Sequence, residues 1–180
     1  EFCKSIENWE LKAKNSPILA KVNEFFQNEY DIIPEKERIG KGAVYISRYV
    51  SKAMVLFLKK EFKKESEDFL AFSENLFNYG EDIDDVKTQH LALYIFAESI
   101  YQFPREFENA KPLITHWANY EEWQIRESTG EAILAALKKI PEECLEYLLE
   151  LTRNDNENLR RLVSESLRPR ADIKWLRDPS

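Results

Sequence analysis

The sequence predicts an all-α fold, arranged as a right-handed solenoid of about five antiparallel helix pairs. Two stretches, Ala118–Ile133 and Thr152–Leu167, are copies of one another shifted by 34 residues, which is the period of stacked helical pairs. Apolar residues recur at helical spacing along most of the chain. Four glycines and seven prolines in 180 residues leave little material for a turn-rich β fold.

The repeat aligns particular residues. Under the shift of 34, Arg126 corresponds to Arg160, Glu131 to Glu165 and Ile133 to Leu167. A weaker third copy lies at a shift of 33, where AESI (97–100) corresponds to GEAI (130–133). The tetratricopeptide and ankyrin signatures are missing from the sequence, so the period favours HEAT-like pairs.

Start and stop signals place the helices in order. Ser16-Pro17 is typical of an N-cap followed by proline at the first helical position, and it opens a helix to about Tyr30. Asp31–Gly42 is the predicted long loop. The later helices are predicted at Ala43–Glu61, Ser66–Tyr79 with Gly80 as a C-terminal stop, Asp84–Gln102, Pro104 to Trp117, Glu121–Lys139, Glu142–Arg153 after Pro141, and Asn156–Leu167. We expect residues 1–180 to form one HEAT-like domain.

Composition excludes several classes of protein. The sequence has no apolar run of about 18 residues, and Glu7 and Glu10 stand where a signal peptide needs an apolar stretch. Cys3 and Cys144 lie far apart, so no disulfide framework and no metal site are expected. No Walker loop, GxSxG or HExxH motif is present. We therefore expect a cytoplasmic location and no cofactor.

Charge is segregated along the chain. The net charge is −7, which on average repels a polyanion. However, Lys41–Lys64 contains seven basic residues against Glu61 alone, and Glu65–Asp85 contains eight acidic residues and no basic one. Local fields govern association more than the total does, so nucleic-acid binding is not excluded.

The repeated arginine admits two interpretations. Arg126 and Arg160 fall in the first turn of the second helix of each pair, the helix that lines the concave face of such an array. An ion pair with Glu122 in one copy, and with Asp155 or Glu157 in the other, would brace the turn. Alternatively, the guanidinium groups form a column that binds a phosphate backbone.

A basic stripe on the helix predicted at Ala43–Glu61 is the second cationic feature. At about 100° per residue its members lie opposite the apolar face. They are Lys41, Arg48, Lys52, Lys59 and Lys63, with Tyr45 in the same sector. The stripe is either a phosphate-binding surface or the solvated face of an amphipathic helix that pairs with the acidic segment.

Aromatic and acidic residues flank the repeated arginine. Trp117 and Trp123 border the turn ANYEE, where they either fill the seam between repeats or face a ligand. His90 and His116 are interpreted as satisfied helix residues. Carboxylates on the predicted concave helices are Glu127, Glu131 and Glu165, whose spacing alone does not separate catalysis from structural ion pairs.

A family resemblance rests on two strings in the second half of the chain. NENLRRLVSESLRPR (Asn156–Arg170) and WANYEEWQIRE (Trp117–Glu127) resemble the bacterial HEAT-like DNA alkylation-repair family, the alkylpurine DNA glycosylases of the AlkC/AlkD type, and most of all its AlkC branch. The likeness covers roughly Leu91–Arg170. It implies a solenoid whose concave basic face holds double-stranded DNA and whose site hydrolyses the N-glycosidic bond of cationic N-alkylated purines. The family pattern continues with another repeat where this sequence ends at Ser180.

The resemblance also implies roles for individual residues. Five arginines match the family and would bind phosphates, namely Arg126, Arg160, Arg161, Arg168 and Arg170. The basic stripe adds Arg48 and Lys52 as candidate DNA contacts. Glu165 is the first choice for a carboxylate that stabilises the developing positive charge, followed by Glu131 and Glu127, with Trp117 and Trp123 as the aromatic residues.

A non-enzymatic HEAT-like scaffold that binds a protein partner on the concave face is the alternative. The net charge of −7 favours it, as does the segment Asn78–Val86, which lacks the tryptophan that the AlkD branch carries there. Arginines that converge on one face would favour DNA, whereas arginines engaged in the turns would favour the scaffold.

Overall fold

The protein is helical throughout the part that the structure describes. The computed structural model describes residues 16–38, 42–169 and 173–177, and within them no β-strand occurs. The prediction of an all-α fold is therefore confirmed. The helices are α1 (Pro17–Ile32), α2 (Ala43–Phe62), α3 (Ser66–Asp82), α4 (Val86–Gln102), α5 (Phe107–Ala118), α6 (Trp123–Lys139), α7 (Pro141–Leu151), α8 (Glu157–Ser166) and α9 (Lys174–Arg177), with short 3₁₀ turns at Glu35–Glu37 and Pro104–Glu106.

Local capping explains where several helices begin. Ser16 accepts a hydrogen bond from the Ile18 amide at 3.5 Å, and Pro17 takes the first helical position, as predicted. Asn156 caps α8 in the same way, because its side-chain oxygen accepts from the Asn158 amide at 2.9 Å. At the start of α3 the Glu65 amide donates to the Asp68 carboxylate at 3.0 Å, which completes a capping box.

Gly80 differs from its predicted role. It lies inside α3, which continues to Asp82, and does not end the helix. A Cβ at this position would come within 3.0 Å of the Gln89 amide nitrogen on α4. The glycine therefore permits a close approach of two helices, a tertiary requirement that the local sequence does not reveal.

Alternate helices pack into a continuous layer. Each odd-numbered helix from α1 to α7 packs against the helix that follows it. In addition, α2 packs against α4, α4 against α6, and α6 against α8. Buried apolar side chains from Ile18 to Ile173 form one core. Within the described residues, no helix is both long and apolar enough to cross a membrane.

One ion pair spans the layer formed by the even-numbered helices. Arg48 on α2 reaches Glu131 on α6 with an Nη2–Oε1 distance of 2.7 Å. Between them lies α4, and its Tyr94 ring lies 5.7 Å from the Arg48 guanidinium carbon. The faces of α2, α4 and α6 that carry these three residues therefore border a common groove.

Candidate functional site

A cavity of about 500 Å³, here called the inner groove, lies along the face of α2, α4, α6 and α8. This volume is within the range of about 300–1,000 Å³ that ligand sites occupy. The walls carry charged side chains from three of the helices, and the floor carries His90, Ser128 and Ser166. A smaller side groove of about 360 Å³ adjoins it and shares Arg48, Tyr94 and Glu131 with it.

The inner groove gathers most of the residues predicted from the sequence. Trp123, Glu127, Glu131 and Glu165 line it. The arginines among its lining residues are Arg48, Arg126, Arg161 and Arg168. Lys52 lines the side groove, and Arg170 and Lys41 lie outside the described residues. Folding thus brings together charged groups that are up to 120 positions apart in the sequence, from Arg48 to Arg168.

Trp117 is a packing residue and does not line the groove. Its side chain is 1% exposed and lies 4.9 Å from the Phe96 ring and 5.2 Å from the Phe77 ring, measured between ring centroids. This position corrects its assignment as a site residue beside Trp123. The reason is that Trp117 is on the last turn of α5, which faces the core, whereas Trp123 begins α6 and is 55% exposed.

The repeated arginines hold the turns through backbone carbonyls. Arg126 Nη1 donates to the carbonyl oxygens of Tyr120 at 2.7 Å and Glu121 at 2.6 Å. In the second copy, Arg160 Nη1 donates to those of Asn154 at 2.7 Å and Asp155 at 2.8 Å. In both copies the arginine follows its first acceptor by six residues and its second by five. The two arginines therefore occupy equivalent places in the repeat, as predicted.

The turn contacts also revise the functional interpretation. Arg160 does not line the inner groove, which corrects its assignment to a groove-facing column of arginines. Arg126 lines the groove, but one of its nitrogens is engaged at the turn. The acceptors are carbonyls, not the carboxylates of Glu122, Asp155 or Glu157 that the sequence suggested. A turn that brings two backbone carbonyls together offers a charged donor two acceptors at fixed positions, whereas a surface carboxylate must first be ordered to make the contact.

Two of the groove's carboxylates are held by arginines. Glu131 pairs with Arg48, and Glu165 on α8 pairs with Arg168 at 2.7 Å. Burial lowers the pKa of the Arg48 guanidinium, but the Glu131 carboxylate and the Tyr94 hydroxyl more than offset this, and its pKa is raised overall. Arg48 is therefore positively charged at neutral pH.

Glu127 and Arg161 stand apart from these pairs. Both are exposed on the groove, and among the described residues neither has an ion-pair partner. Glu127 follows Trp123 by one turn of α6, so the carboxylate and the indole lie on the same side of that helix. This combination can hold a positively charged group between an aromatic face and an anion.

The floor contains polar groups that the sequence did not single out for function. His90 Nδ1 lies 2.7 Å from Ser128 Oγ, and both residues are buried beneath the groove. Burial lowers the pKa of His90, which favours a neutral imidazole. Tyr94 also lines the groove, although it was not predicted from the sequence. The repeat could have identified it, because a shift of 33 relates Tyr94 to Glu127 and a further shift of 34 relates Glu127 to Arg161.

No match to the chain emerged when we compared it with protein-family models, curated proteins and solved structures. Within the described residues, no group of three or more His, Cys, Asp or Glu side chains is placed to hold a metal ion.

Proposed function

We propose that the chain is a right-handed HEAT-like solenoid of about five helix pairs that binds double-stranded DNA along the inner groove. The alternating packing of α1 to α8 supports this arrangement, because each second-layer helix stacks on the next. The observation that carries the DNA interface is the convergence of Arg48, Arg161 and Arg168 from α2, α8 and the residues that follow α8. Guanidinium groups match the geometry of phosphate oxygens.

The proposed reaction is hydrolysis of the N-glycosidic bond of a cationic N-alkylated purine. Cleavage of the bond between the sugar C1′ and the base nitrogen returns the bonding electrons to the base and neutralises it. Positive charge then develops on the sugar, water adds to C1′, and a proton is released from that water. A carboxylate and an aromatic face stabilise this charge more in the transition state than in the ground state.

Glu127, with Trp123, is the proposed stabilising pair. The sequence favoured Glu165, but Glu165 is paired with Arg168 and Glu131 with Arg48, so part of each negative charge is already offset. Glu127 is exposed at the groove one turn after Trp123 and has no ion-pair partner among the described residues. Its charge is therefore available to a cationic base or sugar.

Release of free base from DNA containing 7-methylguanine or 3-methyladenine tests the reaction. We expect the unmodified protein to release base, and E127Q to lower the single-turnover rate by about 10²-fold with duplex affinity retained. E143Q is the matched control, because Glu143 is exposed on α7 and does not line the groove. If E127Q releases base at the rate of the unmodified protein and E165Q is inactive, Glu165 and not Glu127 stabilises the developing charge.

A protein-binding scaffold is the second candidate function. The net charge of −7 and the arginine–glutamate pairs in the groove favour it, since paired arginines attract phosphate less strongly. Absence of duplex binding at low salt, where electrostatic attraction is strongest, would leave the scaffold as the better proposal.

A further inference from the structure

The floor of the inner groove contains a buried hydroxyl group for which the protein supplies no hydrogen bond. Ser166 on α8 is 1% exposed and lines the groove, and its Oγ has no hydrogen-bond partner among the described residues. Buried hydroxyls are almost always bonded, because an unmade hydrogen bond in a low-dielectric interior is unfavourable. A ligand in the groove would satisfy this group.

Gly130 on α6 lies next to this hydroxyl. It lies inside α6, where glycine is unfavourable relative to alanine, and it lines the groove. A Cβ at this position would have Ser166 Oγ as its nearest neighbour, at 4.0 Å, which is ordinary van der Waals contact. Alanine would therefore fit without strain, so packing alone does not explain the glycine. The glycine leaves the part of α6 nearest the hydroxyl without a side chain.

His90 supplies a second polar edge on the same floor. Its Nδ1 is engaged with Ser128, and its Nε2 makes no hydrogen bond to the described residues. His90 is 9% exposed and lines the groove together with the apolar side chains of Ala118, Leu134 and Leu162. An imidazole nitrogen and a hydroxyl bordered by apolar groups suit a flat ring with donors and acceptors along one edge.

We propose that Ser166, His90 and the side-chain-free backbone at Gly130 form a subsite for the polar edge of a nucleobase whose phosphate contacts Arg161. The proposal rests on nucleic acid being the ligand of the groove. The exposed Trp123 provides a stacking face at the rim, and Arg161 is exposed and unpaired among the described residues. The base comes either from a nucleotide extruded from a duplex or from a free mononucleotide, and the chemistry of recognition is the same.

Affinity for duplexes that differ at one base pair tests the subsite. Extruding a mispaired base costs less than extruding a paired one, so we expect a duplex with one central mispair to bind about fivefold tighter or more, by fluorescence anisotropy. S166A and G130A should lose this preference, so that each variant binds the mispaired and the paired duplex with similar affinity. G130A should also raise the thermal midpoint, because alanine favours the helix, and this shows that the variant is folded.

S47A is the matched control. The Ser47 hydroxyl is also buried without a partner among the described residues, but Ser47 does not line the groove, so S47A should keep the preference. Duplex binding without a mispair preference, or a preference that survives in both S166A and G130A, would overturn the subsite and leave the proposed function intact.

A second arm separates the two sources of the base. If no duplex binds, the proposed function fails, and adenosine 5′-monophosphate is then tested by saturation-transfer NMR. Binding that is lost in S166A and G130A would assign the subsite to a free nucleotide. Absence of binding by this probe as well would overturn the inference.

Discussion

At the scale of single residues, neighbouring arginines have different roles. Arg160 and Arg161 are adjacent on α8, yet Arg160 donates to two turn carbonyls and Arg161 lines the groove. Successive residues on a helix point about 100° apart, so one of the two faces the turn and the other the groove. The double arginine in the sequence is thus one cation that holds the turn and one that lines the groove.

The adjacent arginines give a matched pair for DNA binding. We expect R161A to lower the slope of log affinity against log salt by about 0.9, because one phosphate contact is lost. R160A should leave the slope nearly unchanged. Anisotropy titrations with a labelled duplex at several salt concentrations measure both. Equal slopes for the two variants would contradict the distinction between them.

The turn arginines should contribute to stability. R126A is expected to lower the free energy of unfolding by about 1–2 kcal/mol, because two charge-assisted hydrogen bonds to carbonyls are lost. R160A should cost less than about 1 kcal/mol, since Arg160 is exposed and water replaces its bonds more easily. Urea unfolding of both variants measures the difference. A larger loss of unfolding free energy in R160A than in R126A would show that exposure does not determine which arginine contributes more to stability.

His90 should make stability depend on pH. Burial lowers the pKa of His90 below the ordinary histidine value of 6.5, so the unfolded chain binds a proton more readily than the folded one. Stability from this group is complete above pH 6.5 and is lost as the pH falls through the lowered pKa. We expect unfolding free energies at pH 7.5 and 5.5 to differ less in H90Q than in the unmodified protein, as measured by urea unfolding. An equal difference in both would show that His90 does not contribute.

At the scale of helices, charge pairs across α2, α4 and α6 shape the groove. Arg48 and Glu131 are 83 positions apart and join α2 to α6. The Arg48 side chain is 57% exposed, so solvent screens the pair and its contribution to stability is below about 1 kcal/mol. Under the proposed function its larger effect is on the groove, where Glu131 would compete with a DNA phosphate for the guanidinium.

Removing this carboxylate charge should strengthen DNA binding. E131Q is expected to raise duplex affinity several-fold, because Arg48 becomes available and one repulsive charge is lost. E146Q on α7 removes the same charge away from the groove and controls for net charge. Anisotropy at fixed salt measures both variants. Equal gains in the two would attribute the effect to total charge and not to the groove.

At the scale of the whole molecule, the placement of the charges makes the proposed DNA binding compatible with an acidic chain. The net charge is −7, but Arg48, Arg161 and Arg168 converge in the groove, whereas many of the acids lie on other faces. Local potential governs encounter with a polyanion, so binding is compatible with the total charge and remains sensitive to salt.

The sequence by itself determined the helical class, the approximate ends of the helices and the equivalence of Arg126 with Arg160. These follow from periodicity, capping and the repeat, which are local or periodic properties of the chain. It also selected most of the groove's charged residues, among them Glu127, Glu131 and Arg161, because the repeat identifies the helices that stack on one another.

Only the tertiary structure decided which of these side chains face the groove. Trp117 and Trp123 flank the same turn, but packing buries one against Phe96 and leaves the other exposed. Arg160 bonds to two carbonyls that come together only once the turn has formed. The floor formed by His90, Ser128 and Ser166 exists only where α4, α6 and α8 meet. Each of these outcomes depends on groups from other parts of the chain, and no local pattern encodes their distances.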